Sequence, residues 1–245
     1  MSEFARRDSN LSYCKILPIS SDCSFWYAFQ SCSNMSSIDW SSSGIQTSYT
    51  CNMTGTFDEC KNINSMPGFK LPLNEGISGT FDNCSKLPIF YPNNTLGRYY
   101  SYNGCESMVG APETLNWEFN INTASGLDNR YGYKKVKGFK NVSISITYDD
   151  TVISMVPNKY TNKIECGRLW FEGTFNSSKT IENVSISISP FLGDIYFRDG
   201  ISFNSTFRDN VVKVLTFNED LGNNFAGTGN IINMNNIIAG SEITI

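Results

Sequence analysis

The sequence predicts a mainly β fold built as a solenoid, a stack of similar coils. The phrase GTFDECKNINSMP at 55–67 is nearly repeated as GTFDNCSKLPIFYP at 79–92. Other segments alternate apolar and polar residues as strands do, whereas no stretch of ten residues carries the apolar stripe of an amphipathic helix. Similarity at an interval of about 20 to 30 residues is typical of solenoids, because no single unit can bury its own apolar side chains.

Composition limits the classes of function. The 245 residues are 40% hydrophobic, which is sufficient for a sizeable core, and 17% charged, with a net charge of −4. A basic surface for nucleic acid is therefore not expected. The chain contains no histidine, which removes the commonest general base and neutral metal ligand and excludes Ser-His and Cys-His nucleophile chemistry. No apolar run is long enough for a membrane helix or a signal peptide.

The regular repeats occupy residues 25–112 and share the pattern Phe-x-x-Cys-x-x-apolar-x-x-apolar. An aromatic residue opens each unit, and cysteine follows three residues later. In a stack, equivalent residues of successive coils lie above one another, so we expect continuous buried columns of rings and thiols. The pairs are Phe29 and Cys32, Phe57 and Cys60, Phe81 and Cys84, and Tyr102 and Cys105, with a poorer copy at Leu11 and Cys14.

The pattern continues with substitutions in the second half of the chain. Ser178 and Thr228 replace cysteine in two later units, while Phe207 followed by Asn210 is interpreted as a slipped copy. A small slot that accepts a thiol, a hydroxyl or an amide indicates a buried hydrogen-bonding position, not a metal ligand. The predicted core ladder comprises Phe29, Phe57, Phe81, Phe175, Phe207, Phe225, Cys32, Cys60, Cys84 and Cys105.

Three segments predict strands. NVSISI occurs within FKNVSISITYDD (139–150) and again within IENVSISIS (181–189), and VVKVLTF (211–217) alternates in the same way. The Pro, Asn, Gly and Ser clusters between units predict turns, and short helical or 3₁₀ turns are expected at the Phe-x-x-Cys step. The repeat pattern itself is faint over 113–165.

The phrase GTF-x-x-C-x-x-L-x-x-x-P resembles the BspA-type leucine-rich repeats of bacterial surface proteins and phage tail or virion proteins. The resemblance covers about residues 25–112 and, more weakly, 166–238. It implies a right-handed, irregular leucine-rich-repeat solenoid with a parallel sheet, and a binding or adhesion surface without catalytic residues. The predicted segments are an N-terminal cap or attachment segment at 1–24, regular repeats at 25–112, a degenerate or inserted β segment at 113–165, and divergent repeats with a C-terminal strand at 166–245.

Of the eight cysteines, the four at equivalent repeat positions are expected to be free thiols. Side chains at stacked positions point the same way, which gives poor torsions for a disulfide even though a strand spacing of about 4.8 Å is within bonding range. Cys23, Cys51 and Cys166 fall outside the repeat phrase, and a bridge between Cys23 and Cys51 is conceivable. Without histidine or a Cys-x-x-Cys pair, no metal site and no cofactor are predicted.

Tyrosines close to basic residues are the candidate ligand-binding residues. Aromatic rings on a rigid scaffold suit contacts with glycans or proteins, and packing at the coil edges is the alternative. Trp170, in LWFEGTF, is expected in the core. The candidates lie in RYYSY (98–102) and RYGYKK (130–135) and are Tyr99, Tyr100, Tyr102, Tyr131 and Tyr133.

The expected function is non-enzymatic recognition or adhesion, as a receptor-binding or decorating component of a phage-like particle or a bacterial surface. The expected partners are a host cell-surface protein or glycan and another subunit at one end of the solenoid, without nucleic acid or membrane insertion. One alternative is a purely structural virion component. Another is a β-helical glycan-cleaving tail-spike enzyme, for which Asp149 and Asp150 are unsuitable because adjacent strand residues point to opposite faces.

Overall fold

The fold is mainly β, with parallel sheets, as predicted. The computed structural model describes residues 2–19, 22–72, 77–87, 101–108, 113–121, 126–148, 156–160, 163–188, 195–217, 232–233 and 235–237. These ranges contain fourteen strands and no helix, and all of their strand pairings are parallel. No helix that could cross a membrane occurs in this part of the chain.

Most strands are short. They are β1 (Tyr13–Lys15), β2 (Asp22–Ser24), β3 (Ser37–Asp39), β4 (Thr50–Asn52), β5 (Thr114–Ile121), β6 (Gly126–Asp128), β7 (Asn141–Tyr148), β8 (Ile164–Cys166), β9 (Arg168–Trp170), β10 (Asn183–Ile188), β11 (Ile195–Phe197), β12 (Ile201–Ser202), β13 (Val214–Phe217) and β14 (Ile232–Asn233).

The chain forms two compact units. Unit 1 consists of residues 1–111 and 131–138, and unit 2 consists of residues 112–130 and 139–245. Unit 1 contains the pairs β1–β3 and β2–β4, whereas unit 2 contains sheets in the orders β13-β10-β7-β5, β14-β12-β9-β6 and β11-β8. Strands β5, β6 and β7, from the segment 113–165, therefore share sheets with strands of the segment 166–245.

The three strands predicted from period-2 alternation are confirmed. Strands β7, β10 and β13 are adjacent, and the two copies of NVSISI lie in register, with Val142 opposite Val184 and Ile144 opposite Ile186. These four side chains are at most 2% exposed. The alternating sequence favours this sheet because successive side chains of a strand point to opposite faces. The apolar side chains add buried area to the core, and the polar side chains between them face outward.

The Phe-x-x-Cys step is a tight turn in a distinctive backbone conformation. The main-chain N of Cys60 donates to the carbonyl of Phe57 at 2.9 Å, and Cys84 donates to Phe81 at 3.1 Å. In these units, the residue two positions before the aromatic residue and the residue two positions after it have positive φ. This left-handed conformation prevents the turn from continuing as a right-handed helix. The first set is Tyr27, Gly55, Gly79, Tyr131, Gly173 and Ser205, and the second is Ser31, Glu59, Asn83, Gly104, Lys135, Ser177 and Asp209.

The threonine of the repeated phrase GTF ties each unit to the preceding one. The Thr56 hydroxyl lies 2.7 Å from the Met53 carbonyl within its own turn and 2.9 Å from the Phe25 carbonyl of the preceding unit. Thr80, Thr174 and Thr206 make equivalent pairs of contacts. The phrase is therefore repeated because glycine permits the turn, threonine supplies a buried donor, and phenylalanine fills the core.

The aromatic rings that follow these threonines, or occupy the equivalent position, are buried and stacked. In unit 1, successive ring centroids are 5.9, 5.6, 5.2 and 5.6 Å apart. In unit 2, Phe175 stacks on Phe207 at 5.4 Å, and a second column pairs Phe171 with Phe203 at 5.2 Å. Phe225 lies outside the described residues. The column in unit 1 consists of Phe29, Phe57, Phe81, Tyr102 and Tyr133.

The buried cysteines next to this column are free thiols that donate to main-chain carbonyls. Sγ of Cys60, Cys84 and Cys105 lies 3.0 Å from the carbonyl oxygen of the aromatic residue in the preceding unit. Burial raises the pKa of all three thiols well above the ordinary value, so the thiolate is suppressed. The thiols are therefore structural donors and not nucleophiles.

Two predicted alignments are wrong. Asn210 Nδ2 donates to the Phe175 carbonyl at 2.8 Å, the same bond that the cysteines make, so the copy at Phe207 is in register and not slipped. At the start of the chain, Cys32 Sγ donates to Ala5, and Ala5 therefore holds the position expected for Leu11. Cys14 lies in β1 instead, opposite Ile38. The turn of the first unit is at Ala5 and therefore precedes the position that the Leu11–Cys14 pattern predicts.

Cys23 and Cys51 form a disulfide. They are register partners in β2 and β4, with Cα atoms 4.8 Å apart. The bridge left open for this pair is therefore present, and the four repeat cysteines are free, as expected. The other six cysteines are free.

Substitution of two equivalent glycines is expected to give unequal losses of stability. Gly55 and Gly79 have similar φ values of 60° and 64°. A Cβ at Gly55 would overlap the Tyr27 ring, whereas a Cβ at Gly79 would be 3.9 Å from its nearest neighbour, the Gly55 Cα. Gly79→Ala should cost about 1 kcal/mol through backbone strain alone, and Gly55→Ala about 2 kcal/mol. Urea unfolding of both variants measures the difference, and equal losses would contradict the ring placement.

Asp82 is a carboxyl group in a column of polar side chains at the turns of unit 1. Its Oδ1 accepts a hydrogen bond from Asn103 Nδ2 at 2.7 Å, and Asp58 in the preceding unit accepts one from Gln30 Nε2 at 2.7 Å. Burial raises the pKa of Asp82 to about 6, and repulsion from Asp58 and Glu59 acts in the same direction. The folded chain therefore binds this proton more tightly than the unfolded chain does.

The variant Asp82→Asn should stabilise the protein at pH 7 by about 1 kcal/mol, after allowance for solvent screening. The contribution of Asp82 to stability falls as the pH rises from about 4 to about 6, so the gain should be absent at pH 4. Urea unfolding at both pH values tests this. Asp39→Asn is the control, because a hydrogen bond from the Ser41 main-chain N lowers the pKa of Asp39 and no gain is expected.

Candidate functional site

The three described tyrosines that are predicted to bind a ligand do not lie together on the surface. Tyr102 and Tyr133 are each 1% exposed and belong to the ring column of unit 1, so their predicted role in ligand contact is wrong. Tyr131 is half-buried, with Lys134 Nζ 5.3 Å from its ring centroid. Tyr99 and Tyr100 lie outside the described residues.

A row of short polar side chains in unit 2 is interrupted by one tryptophan. Asp128, Trp170, Ser202 and Asn233 are neighbours in register across β6, β9, β12 and β14. The side-chain oxygens of Asp128, Ser202 and Asn233 each accept a hydrogen bond from the main-chain N two residues later, at 3.3, 3.3 and 3.0 Å. These are Asx and Ser turns, which an indole cannot form because it has no acceptor.

Trp170 is half-exposed, and its predicted place in the core is wrong. Strand alternation explains this: Leu169 before it and Phe171 after it are both fully buried. The guanidinium carbons of Arg130 and Arg168 each lie 4.4 Å from the indole ring centroid. The indole Nε1 donates to the Asp199 carbonyl at 3.1 Å, so the ring is fixed in position.

Ion pairs hold the two guanidinium groups. Asp128 accepts two hydrogen bonds from Arg130, at 2.9 and 2.8 Å, and Arg168 approaches the same carboxylate at 3.4 Å. Arg168 also lies 3.5 Å from Asp199, which Arg198 contacts at 3.1 Å. We call Asp128, Arg130, Arg168, Trp170, Arg198 and Asp199 the Trp170 cluster.

The Asp199 carboxylate is an acceptor and not an acid. The hydrogen bond from Arg198 is the main reason that the pKa of Asp199 lies below its ordinary range, and the charges of Arg198 and Arg168 add to this. A group that stays ionised at neutral pH cannot supply the proton that a general acid transfers. The cluster therefore offers fixed hydrogen-bonding groups beside an aromatic ring.

A depression of about 430 Å³ adjoins the cluster. Its wall carries two half-exposed aromatic residues, Trp170 and Tyr196, and the hydrogen-bonding side chains of Arg198, Ser202 and Asn233. A surface of this kind can hold a flat apolar face and exchange hydrogen bonds at its edges.

The sequence contains a signal for this site that the cysteine repeat conceals. The four segments LDNR (127–130), LWFE (169–172), ISFN (201–204) and INMN (232–235) align without gaps. Their second residues are Asp128, Trp170, Ser202 and Asn233, and only the tryptophan departs from a turn-forming polar type. A residue that breaks a local structural rule is a candidate for function.

No family model, curated protein or solved structure matches the chain. The geometry of the Trp170 cluster is therefore the basis for a functional proposal.

Proposed function

We propose that the chain is a non-enzymatic recognition protein, a receptor-binding or decorating component of a phage-like particle or a bacterial surface. The observation that carries this proposal is the half-exposed Trp170, which occupies a position where turn-forming polar residues stand in the neighbouring strands. The tryptophan forgoes a local hydrogen bond that Asp128, Ser202 and Asn233 make. Rigid exposed aromatic residues are typical energetic centres of recognition surfaces.

An irregular leucine-rich-repeat solenoid of the BspA type is the architecture we propose for this role. The parallel pairing of successive units and the stacked rings support it. The main-chain N of Phe29 donates to Thr56, Phe57 to Thr80 and Phe81 to Ser101, so each unit is hydrogen-bonded to the next. Such a stack fixes the spacing of side chains along its surface.

Attachment to another subunit would use the N-terminal end of unit 1. Main-chain N atoms of the first segment, residues 2–19, donate to the following unit at five positions, for example from Ala5 to Ala28 at 2.8 Å and from Ile16 to Asp39 at 2.8 Å. Three large apolar side chains of this first segment remain exposed: Phe4 is 64%, Tyr13 54% and Leu17 70% exposed. Large apolar side chains left exposed at one end favour an interface there.

Binding of fluorescently labelled protein to a panel of bacterial strains tests the recognition role. We expect binding to a subset of strains, and a reduction of more than about tenfold in Trp170→Asn. Asparagine is chosen because it restores the turn seen at Asn233, so the fold should be retained within about 1 kcal/mol.

Trp26→Ala is the matched control, because Trp26 is a tryptophan with 41% exposure that lies in unit 1 outside the cluster. Its binding should equal that of the wild type. Strain binding that is the same in Trp170→Asn and in the wild type would refute the assigned site. Absence of cell binding together with incorporation into purified particles would favour the purely structural virion component.

A further inference from the structure

We propose that the depression beside Trp170 binds a neutral saccharide. This inference rests on the recognition role proposed above and assigns the chemical class of its ligand. Three features support it: the balance of charge in the Trp170 cluster, the pairing of aromatic rings with short polar side chains, and the internal position of the two strands below the depression.

The charges at the site are internally matched. The three guanidinium groups face the carboxylates of Asp128 and Asp199, and a third carboxylate, Glu172, lies on the wall of the depression. Arg198 is 67% exposed but is held in two contacts with Asp199, at 3.1 and 3.3 Å. A charged ligand would have to compete with these existing ion pairs. A neutral ligand can instead use the remaining N–H groups and carboxylate lone pairs.

The arrangement of rings and polar groups suits a sugar. A pyranose has an apolar C–H face and a rim of hydroxyl groups that both donate and accept. The half-exposed Trp170 and Tyr196 border the depression, and Ser202 and Asn233 lie beside them. The volume of about 430 Å³ is within the range of about 300–1,000 Å³ that is usual for small-ligand sites.

The sheet below the depression disfavours an extended peptide. Strands β9 and β12 are both internal in the order β14-β12-β9-β6, so neither presents a free edge. Binding by strand addition requires unpaired main-chain groups along an edge. Side chains and not main-chain groups are therefore available to the ligand at this site.

A glycan microarray tests the ligand class. It should carry neutral oligosaccharides of glucose, galactose, mannose and N-acetylglucosamine, together with uronate-containing and sulfated ones. We expect the wild type and Trp26→Ala to bind at least one neutral oligosaccharide equally. Trp170→Asn and Tyr196→Ala should each lose more than about tenfold in affinity, with circular dichroism and thermal unfolding confirming that both are folded. Binding to acidic oligosaccharides alone, to no oligosaccharide, or equally by Trp170→Asn would overturn the proposal.

Treated cells separate this proposal from the recognition role on which it rests. Periodate, which oxidises vicinal diols of glycans, should abolish Trp170-dependent binding to a recognised strain, and protease should leave it intact. Polysaccharide extracted from that strain should compete with the cells. Loss of binding after protease, with resistance to periodate, would reject the saccharide while retaining recognition. Equal binding of the wild type and Trp170→Asn to the strain would reject both this site and its saccharide ligand while retaining recognition. Binding of the wild type to none of the strains would reject the recognition role itself.

Discussion

Phe57→Ala is expected to lower the free energy of unfolding by about 4 kcal/mol, because it removes a fully buried ring at the centre of unit 1. The Phe57 ring stacks between Phe29 and Phe81, at 5.9 and 5.6 Å, and meets Trp40 and Phe69 edge-on at 6.3 and 6.0 Å. Four partners therefore lose contact area at once, and the neighbouring units restrict collapse of the cavity. Urea unfolding monitored by circular dichroism measures the loss.

Phe4→Ala is the matched control for this prediction. The Phe4 ring has one ring partner among the described residues, Phe29 at 6.4 Å, and is 64% exposed. Its removal should cost less than about 1 kcal/mol. Similar losses for the two variants would mean that Phe57 is not at the centre of a packed column.

Reduction of the Cys23–Cys51 disulfide is expected to cost about 3.5 kcal/mol. The two cysteines are 28 residues apart, and opening a loop of that length restores conformational entropy to the unfolded chain. Urea unfolding with and without a reductant measures the difference. The variant Cys23→Ser/Cys51→Ser should show no response to the reductant, and the same response in this variant would assign the effect to another cause.

Thiol counting tests the same disulfide independently. In denaturant without reductant, six cysteines should react, and eight should react after reduction. In the folded protein Cys14 should react first, because it alone among the free cysteines is not buried. Eight reactive thiols before reduction would show that the bridge is absent.

The parts of the fold that could be predicted are those where burial alone decides the pattern. The two copies of NVSISI alternate because one side of the sheet is core, so their strand type followed from the sequence. The positions of Phe57 and Phe81 followed from the repeated phrase for the same reason. The predicted division at residue 113 did not anticipate that residues 131–138 pack with unit 1, because contacts between distant segments leave no local pattern.

Neither the basic residues beside the tyrosines nor the apolar residues beside Trp170 identify the site. Tyr102 is predicted both to open a repeat unit and to contact a ligand, and only the first prediction holds, because Tyr102 and Tyr133 lie in the buried ring column. The ligand prediction follows from the basic residues near both tyrosines, and these do not decide whether a ring is buried. Trp170 is predicted in the core because its neighbours are apolar, yet strand alternation turns it outward.

The turns of unit 1 are constant while the segments that join them are not. Successive rings from Phe29 to Tyr102 are separated by 28, 24 and 21 residues, yet their centroids remain between 5.2 and 5.9 Å apart. The connecting segments can therefore gain or lose residues without disturbing the spacing of the stack. Foreign peptide epitopes grafted into such a segment, for example beside Gly44, would be displayed on a scaffold whose geometry is set elsewhere.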